Sequence, residues 1–279
     1  MATSDIYTIA GDVFQTKRAL RFLGGNVDDG VTVNALGAAI CAGNHTTGTI
    51  TAWVMIPNNY TAAMCIFSAG DNNVATEYMK FSITTAGKLQ FMIVDGTTRV
   101  DVSTTNKVIY PWRWYHVAIV QDGVAPKIYV NGVSQALTYA TTTEIGQWFD
   151  DLDGIDNACI GALYSNNAYT EEFMGYITDV DVWSGTTSAN ALTAEQVIQD
   201  MSGYHPTGAL ADYEFDGDLL DKATGAGTYT GTIVGAIIYC DANEFACRLT
   251  FGAGIPVTAD NVSITVSNGV GYAIVIQQA

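Results

Sequence analysis

Residues 111–132 read PWRWYHVAIVQDGVAPKIYVNG, and this stretch decides the fold. Val117 and Ile119, then Ile128 and Val130, fall at every second position, so each run sends one row of side chains to a single face of a sheet. Asp122-Gly123 and Pro126 supply turn chemistry between the runs, and Asn131-Gly132 marks the next reversal. Trp112, Trp114 and Tyr115 place a large apolar anchor at the entrance. The stretch predicts one β-hairpin.

Outward from this hairpin the same grammar repeats. Lys80–Ile83 and Leu89–Ile93 alternate around Ala86-Gly87 and predict a second hairpin. Gly48–Val54 alternates up to Trp53, which together with Trp114, Val117, Ile119, Ile128 and Val130 is expected in a core between two sheets. Leu192–Met201 has helical spacing, with Thr193 as N-cap, Gln196 completing a capping box, and Val197, Ile198 and Met201 as its apolar stripe. Beyond residue 235, Val262–Val266 and Tyr272–Ile276 alternate around Asn268-Gly269 and predict a terminal hairpin whose last strand carries no charge to protect its edge.

The composition sets limits on function. With 48% hydrophobic residues in 279, the chain can bury a sizeable core, and 28 glycines suit short strands joined by tight turns. There are 11 basic and 28 acidic residues, a net charge of −17, and between Lys127 and Lys222 there are 16 acids and no Lys or Arg. Such a surface repels phosphate backbones and anionic lipid, so neither nucleic acid nor membrane insertion is expected. Solubility in a salty medium explains the acidity, as does the holding of divalent cations. The five cysteines lack metal-site spacing; buried free thiols are expected, with a Cys240–Cys247 loop as the alternative. The first residues have neither a basic region nor an apolar core of a secretory signal.

Several segments in order carry a family resemblance: Ala19–Phe22 before Gly24-Gly25, Gly48–Val54 ending in Trp, Ile66–Asn72, the hairpin at 111–132, Phe173–Trp183 with its Phe-x-Gly-x-Ile opening, and Leu192–Ile198. Together they resemble the laminin-G-like and pentraxin-like jelly rolls of the concanavalin A-like lectin/glucanase superfamily. The resemblance implies an all-β antiparallel sandwich with one short helix and a C-terminal β extension. It divides the chain into an N-terminal arm at 1–18, a jelly roll at 19–235 and a C-terminal hairpin extension at 236–279. In pentraxin-like relatives an Asp-Asn pair after the strand corresponding to Cys65–Ser68 places calcium. Here Asp71-Asn72 matches that pair, while Tyr164 and Ser165 depart from the acidic residues of the second half.

Asp150, Asp151 and Asp153, with Gly154, form the densest acidic loop. Carboxylates this close repel unless solvated or bridged, so Asp71, Asn72, Asp150, Asp151 and Asp153 are the expected calcium ligands, against a solvated loop. The spacing does not satisfy the EF-hand pattern. Trp148, Tyr164 and Tyr169 lie near these loops and are the expected glycan-stacking residues, unless they pack against the sheet. Asp179 and Asp181 fall at i and i+2, a spacing similar to the paired acids of retaining glycosidases, but Thr178, Val180 and Trp183 interrupt the catalytic pattern.

No enzyme is therefore expected. The leading expectation is a structural protein of a virus or phage particle, capsid-decorating or tail-associated. Its terminal segments would anchor it to other virion subunits or to copies of itself, and an outward jelly roll at the virion surface would be available to cell-surface glycans. The alternative is a secreted, extracellular calcium-dependent carbohydrate-binding module or adhesin fragment, and a polysaccharide hydrolase stands third.

Overall fold

In the computed structural model the deciding hairpin forms as its alternation predicts. Tyr115–Gln121 pairs antiparallel with Pro126–Val130, placing Ile119 opposite Ile128 and Val117 opposite Val130. Asp122 Oδ1 accepts the amides of Val124 and Ala125 in the turn, and Asn131 and Gly132 take the positive φ values that the next reversal needs. The structure describes residues 18–25, 28–215, 217–223, 229–235 and 237–241, with short pieces at 7–8, 262–263 and 273–276.

Two eight-stranded sheets sandwich the core. In the first, Val133–Ser134, Pro126–Val130, Tyr115–Gln121, Thr47–Met55, Gly175–Gly185, Arg18–Phe22 and Ile237–Asp241 follow one another, with Ala211–Tyr213 also paired to Gly175–Gly185. In the second the order is Leu137–Thr142, Thr97–Thr104, Leu89–Asp95, Glu77–Ile83, Met64–Gly70, Asn157–Ile160, Gly30–Thr32 and Thr232–Val234. Ile50, Ala52, Val54, Val117, Ile119 and Ile128 of the first sheet pack with Phe67, Phe81, Phe91 and Val102 of the second in one buried cluster. Burying each such side chain stabilises the fold by roughly 1.5–3 kcal/mol before conformational entropy is counted.

Register corrects one expectation. With Ala52 and Val54 turned inward, Trp53 faces outward, half-buried against His116. Trp114 precedes its strand and rests, also half-buried, on Tyr176. At Gly175 the chain is held at φ +130°, and a Cβ there would stand 2.1 Å from the Met55 carbonyl oxygen, so only glycine lets these strands approach.

Two α-helices stand among the described residues, one more than expected: α1 at Asn34–Ala42 and α2 at Ala194–Met201. The first lacks a capping side chain and has Gly37 pressed on the Asn157 backbone, where a Cβ would come within 2.3 Å. The second has its capping box formed: Gln196 N donates to Thr193 Oγ1 and Thr193 N to Gln196 Oε1. Val197 is buried over Ala118, Val120, Tyr129 and Trp183, but Ile198, expected in the same stripe, is exposed. No helix among the described residues is long and apolar enough to cross a membrane.

The chain divides into two compact units, residues 19–239 and residues 1–18 with 240–279. In the second unit Ala273–Ile276 lies between Tyr7–Thr8 and Val262–Ser263 in a three-stranded antiparallel sheet. The last strand, expected to present an open edge, thus has both edges paired within its own chain. The Asn268-Gly269 turn and Cys247 lie outside the described residues. Cys65 and Cys159 are buried free thiols as expected, and Cys41 is free and exposed.

Candidate functional site

Because Phe67, Phe81, Phe91 and Val102 turn inward, the residues beside them turn out and form rows across the second sheet. One row runs through Cys159, Ser68, Lys80, Met92, Asp101 and Thr141, and another through Ser82, Gln90, Ser103 and Thr138. Only part of this polar outer face is used for packing. It is a row of oriented donors and acceptors.

One end of the face is covered. The small hairpin of Leu163–Ser165 and Ala168–Thr170 folds over it, turning at Asn166 and Asn167, two residues that tolerate left-handed backbone. Asn166 N donates to the Asp71 carbonyl at 2.9 Å, Ser68 Oγ donates to the Ala162 carbonyl at 2.8 Å, and Lys80 forms an ion pair with Glu171. The other end is open: Gln90, Met92, Arg99, Asp101 and Ser103 are all half-buried. There Gln90 Nε2 donates to Asp101 Oδ1 at 2.7 Å, and Arg99 is held by Asp95 at 3.0 Å and Glu144 at 3.7 Å. Tyr78 borders the step between the covered and open parts, its hydroxyl 3.8 Å from Met92 Sδ and its ionisation pushed up by burial.

The three aromatic residues singled out from the sequence separate. Tyr164 and Tyr169 come together, directly opposite in register, with rings stacked at 4.3 Å and 18°. Tyr169 also lies against Gly30, where a Cβ would meet its Cε1 at 3.4 Å, and burial raises its phenol well above the ordinary value. Both rings are half-buried in this stack. Trp148 is 0% exposed, packed on Phe149 and Phe91 and donating from Nε1 to Ser184 Oγ at 3.0 Å. It belongs to the core and offers no face to a sugar, because its indole is consumed by packing and its one donor is already used.

The expected calcium ligands also fall apart. Asp71 and Asn72 do meet the 153–156 turn: Asp71 Oδ2 crowds Gly154, where a Cβ would come within 2.6 Å, and Asn72 N donates to Asp156 Oδ1. Asn157 Nδ2 donates to the Asn72 amide oxygen, and Asn73 N donates to Asp71 Oδ1. Asp153 lies beside Glu77, an acid that no sequence motif marks. Asp150 sits instead near His45, and Asp151 Oδ2 caps the Trp148 amide. Among the described residues, no three of Asp71, Asp150, Asp151 and Asp153 bring carboxylate oxygens within 4.8 Å of one another. The set fits calcium poorly, and no step is built on that ion.

Asp179 and Asp181 are not a catalytic pair either. A bulge between Thr178 and Asp181, with Asp179 at φ +47°, breaks the i, i+2 relation. Asp181 is 0% exposed, out of reach of any substrate.

An antiparallel sandwich with an open polar outer face is the architecture of a lectin-like jelly roll. The family model of the Concanavalin A-like lectin/glucanases superfamily, of laminin G type, matches residues 24–197, and the chain belongs to that family. No curated protein matches the sequence. Among solved structures it is similar to a native heptameric SAP-like pentraxin from Limulus polyphemus, with 16% identity over 84% of this chain and 98% of that one, TM-score 0.54. It is also similar to the CBM40 of the IT-sialidase of Ruminococcus gnavus, with 18% identity over 66% and 96%, TM-score 0.52. The same module bound to alpha2,6 sialyllactose gives 16% identity over 67% and 97%, TM-score 0.52.

Proposed function

We propose that this chain is a non-catalytic carbohydrate-binding module that takes its glycan on the open end of the second sheet's outer face. The observation that carries the reading is the Gln90–Asp101 pair. It is a fixed amide and carboxylate, half-open to solvent, that links the two polar rows of this face. Sugar hydroxyls are recognised by such pre-oriented donors and acceptors, and the C–H face of a pyranose by an aromatic ring. The similar CBM40 module, described bound to alpha2,6 sialyllactose, supports this reading.

Charge points to a neutral glycan for this chain. Lys80 and Arg99 on this face are each engaged by carboxylates, and Asp101 and Glu144 would repel an acidic sugar. The relatives support the carbohydrate-binding role, and an extracellular setting for it is part of the proposal. The particle-surface setting expected from the sequence would use the same face but draws nothing further from them.

The test is an array of neutral and sialylated glycans, followed by calorimetry on the glycans retained. Gln90→Ala and Asp101→Ala should each weaken binding at least about tenfold, a loss of about 1.4 kcal/mol, with the melting temperature nearly kept. Binding that survives both changes would sink this placement.

A further inference from the structure

A second polar cluster lies under α2, away from the glycan-binding face. On the outer face of the first sheet, His116 Nε2 meets Asp200 Oδ2 of α2 at 3.1 Å. Asp200 Oδ1 stands 3.2 Å from His205 Nδ1, in the loop after the helix, and His205 Nδ1 stands 2.9 Å from Asp181 Oδ2. The side chains of His116, Asp181 and Asp200 are 1–2% exposed, and that of His205 is 20% exposed.

Three features make this more than an ion pair. Asp212 sits directly opposite Asp181 in the strand register, so two like charges face each other where sheets normally avoid it. Asp181 Oδ1 and Asp212 Oδ1 are buried and have no hydrogen-bond partner, so lone pairs point into the cluster unused. One ligand atom each from Asp181, Asp200 and His205 lie within 4.8 Å of one another. Three buried carboxylates outnumber the two imidazoles of His116 and His205 that meet them, which leaves an excess of negative charge that these contacts alone do not neutralise.

We propose that Asp181, Asp200 and His205 form a binding site for a divalent transition-metal ion of the zinc type. The donor set selects the metal class: an imidazole nitrogen with two carboxylates suits Zn²⁺, whereas Ca²⁺ takes six to eight oxygens. Within the ligand set two carboxylates and a neutral imidazole balance one M²⁺, with the Asp212 carboxylate beside the set adding further attraction for the cation. Around an ion with bonds of about 2.0–2.2 Å, tetrahedral ligand atoms stand about 3.3–3.6 Å apart. The observed 2.9 and 3.2 Å therefore need only a few tenths of an ångström of opening. His205, the one exposed member, supplies that movement and the entry path. His116 then orients the Asp200 carboxylate through its Nε2 without touching the ion. The ion would tie strand Gly175–Gly185, α2 and the loop behind it into one unit.

The test uses the full chain after dialysis against EDTA. Co²⁺ should bind one to one with a visible d–d band of low-symmetry coordination, Zn²⁺ should displace it, and Zn²⁺ should raise the melting temperature. His205→Gln and Asp181→Asn should abolish the band and the thermal shift, while Asp71→Asn leaves both intact. The absence of a band and of a shift in the parent chain, or a band that survives both site variants, overturns the proposal. If those variants fail to fold in EDTA, X-ray absorption of the Zn²⁺-loaded parent chain decides. A nitrogen–oxygen shell with one imidazole supports the site, and a shell containing sulfur or several imidazoles overturns it.

Discussion

Trp53 and His116 face each other across neighbouring strands of the first sheet, rings edge to face with centroids 5.4 Å apart. The contact lies on the outer side of the sheet, and from His116 it leads to Asp200 of α2. Trp53 therefore screens a buried charged group from water rather than filling the core. Trp53→Ala should destabilise less than the loss of a core tryptophan, by about 1–2 kcal/mol against the 3–5 kcal/mol of a fully buried aromatic. Urea unfolding of Trp53→Ala beside Trp148→Ala compares them directly, and equal losses would contradict the assigned faces.

Helix α2 brings Asp200 to this cluster, and its start depends on one cap. Thr193→Ala removes the acceptor for Gln196 N and should cost about 1 kcal/mol, within the usual range for helix caps. Hydrogen exchange should quicken in residues 194–201 first, with the hairpin of Tyr115–Val130 unaffected. Uniform loss of protection would mean that the helix does not open separately.

Much of the fold was legible because strand and helix signals are local. The alternation at 117–119 and 128–130, the Asn131-Gly132 reversal and the Thr193–Gln196 box each specify their own geometry, and each forms. What local pattern does not carry is which face of a strand turns inward. Trp53 and Trp148 show the consequence: alternation placed the first in the core and nearness to the acidic loop placed the second at a site, and the structure turns the first outward and packs the second in the core. The cluster of His116, Asp181, Asp200 and His205 was invisible for a related reason. Its members are spread along the sequence, and only strand register together with α2 packing brings them together. Of the expected site, Asp71, Asn72, Tyr164 and Tyr169 converge on the loops at the covered end, whereas Gln90, Asp101 and Arg99 carried no motif and became visible only as a sheet face.

Gly175 offers a strict test of the strand packing. A methyl group there would overlap the Met55 carbonyl at a backbone angle that side chains rarely adopt. Gly175→Ala should therefore cost at least about 3 kcal/mol, combining backbone strain with steric overlap. Gly96→Ala is the control: it also has a positive φ but no atom within 4 Å, so only the conformational part of about 1 kcal/mol should appear. Matching losses in chemical denaturation would show that overlap at Met55 is absent.

The charged cluster predicts how metal-free protein, held in EDTA, responds to alkali. Hydrogen bonds to Asp181 and then Asp200 raise His205 from 6.5 to about 11. Burial, and next the Asp200 charge, push Asp181 well up, while hydrogen bonds from His116 and His205 outweigh burial and hold Asp200 down at about 2. For His205 the folded value exceeds the unfolded one, so its contribution is complete below pH 6.5 and is lost as pH rises toward 11. Asp181, raised likewise, favours the fold less as pH climbs above 3.8, which adds loss in the same direction. Asp200, lowered, contributes stability that is present above 3.8 and lost as pH falls toward 2, so it leaves the alkaline limb unchanged. Asp212 and Glu214 are the other acids near His205, and the Asp212 charge also favours the protonated imidazole. The urea midpoint should therefore fall steadily above pH 6.5, and His205→Gln should flatten that slope while starting from a lower midpoint. A parent chain whose midpoint holds level from pH 6.5 toward pH 11, or a variant with the same slope, would mean that His205 carries no proton between its two aspartates.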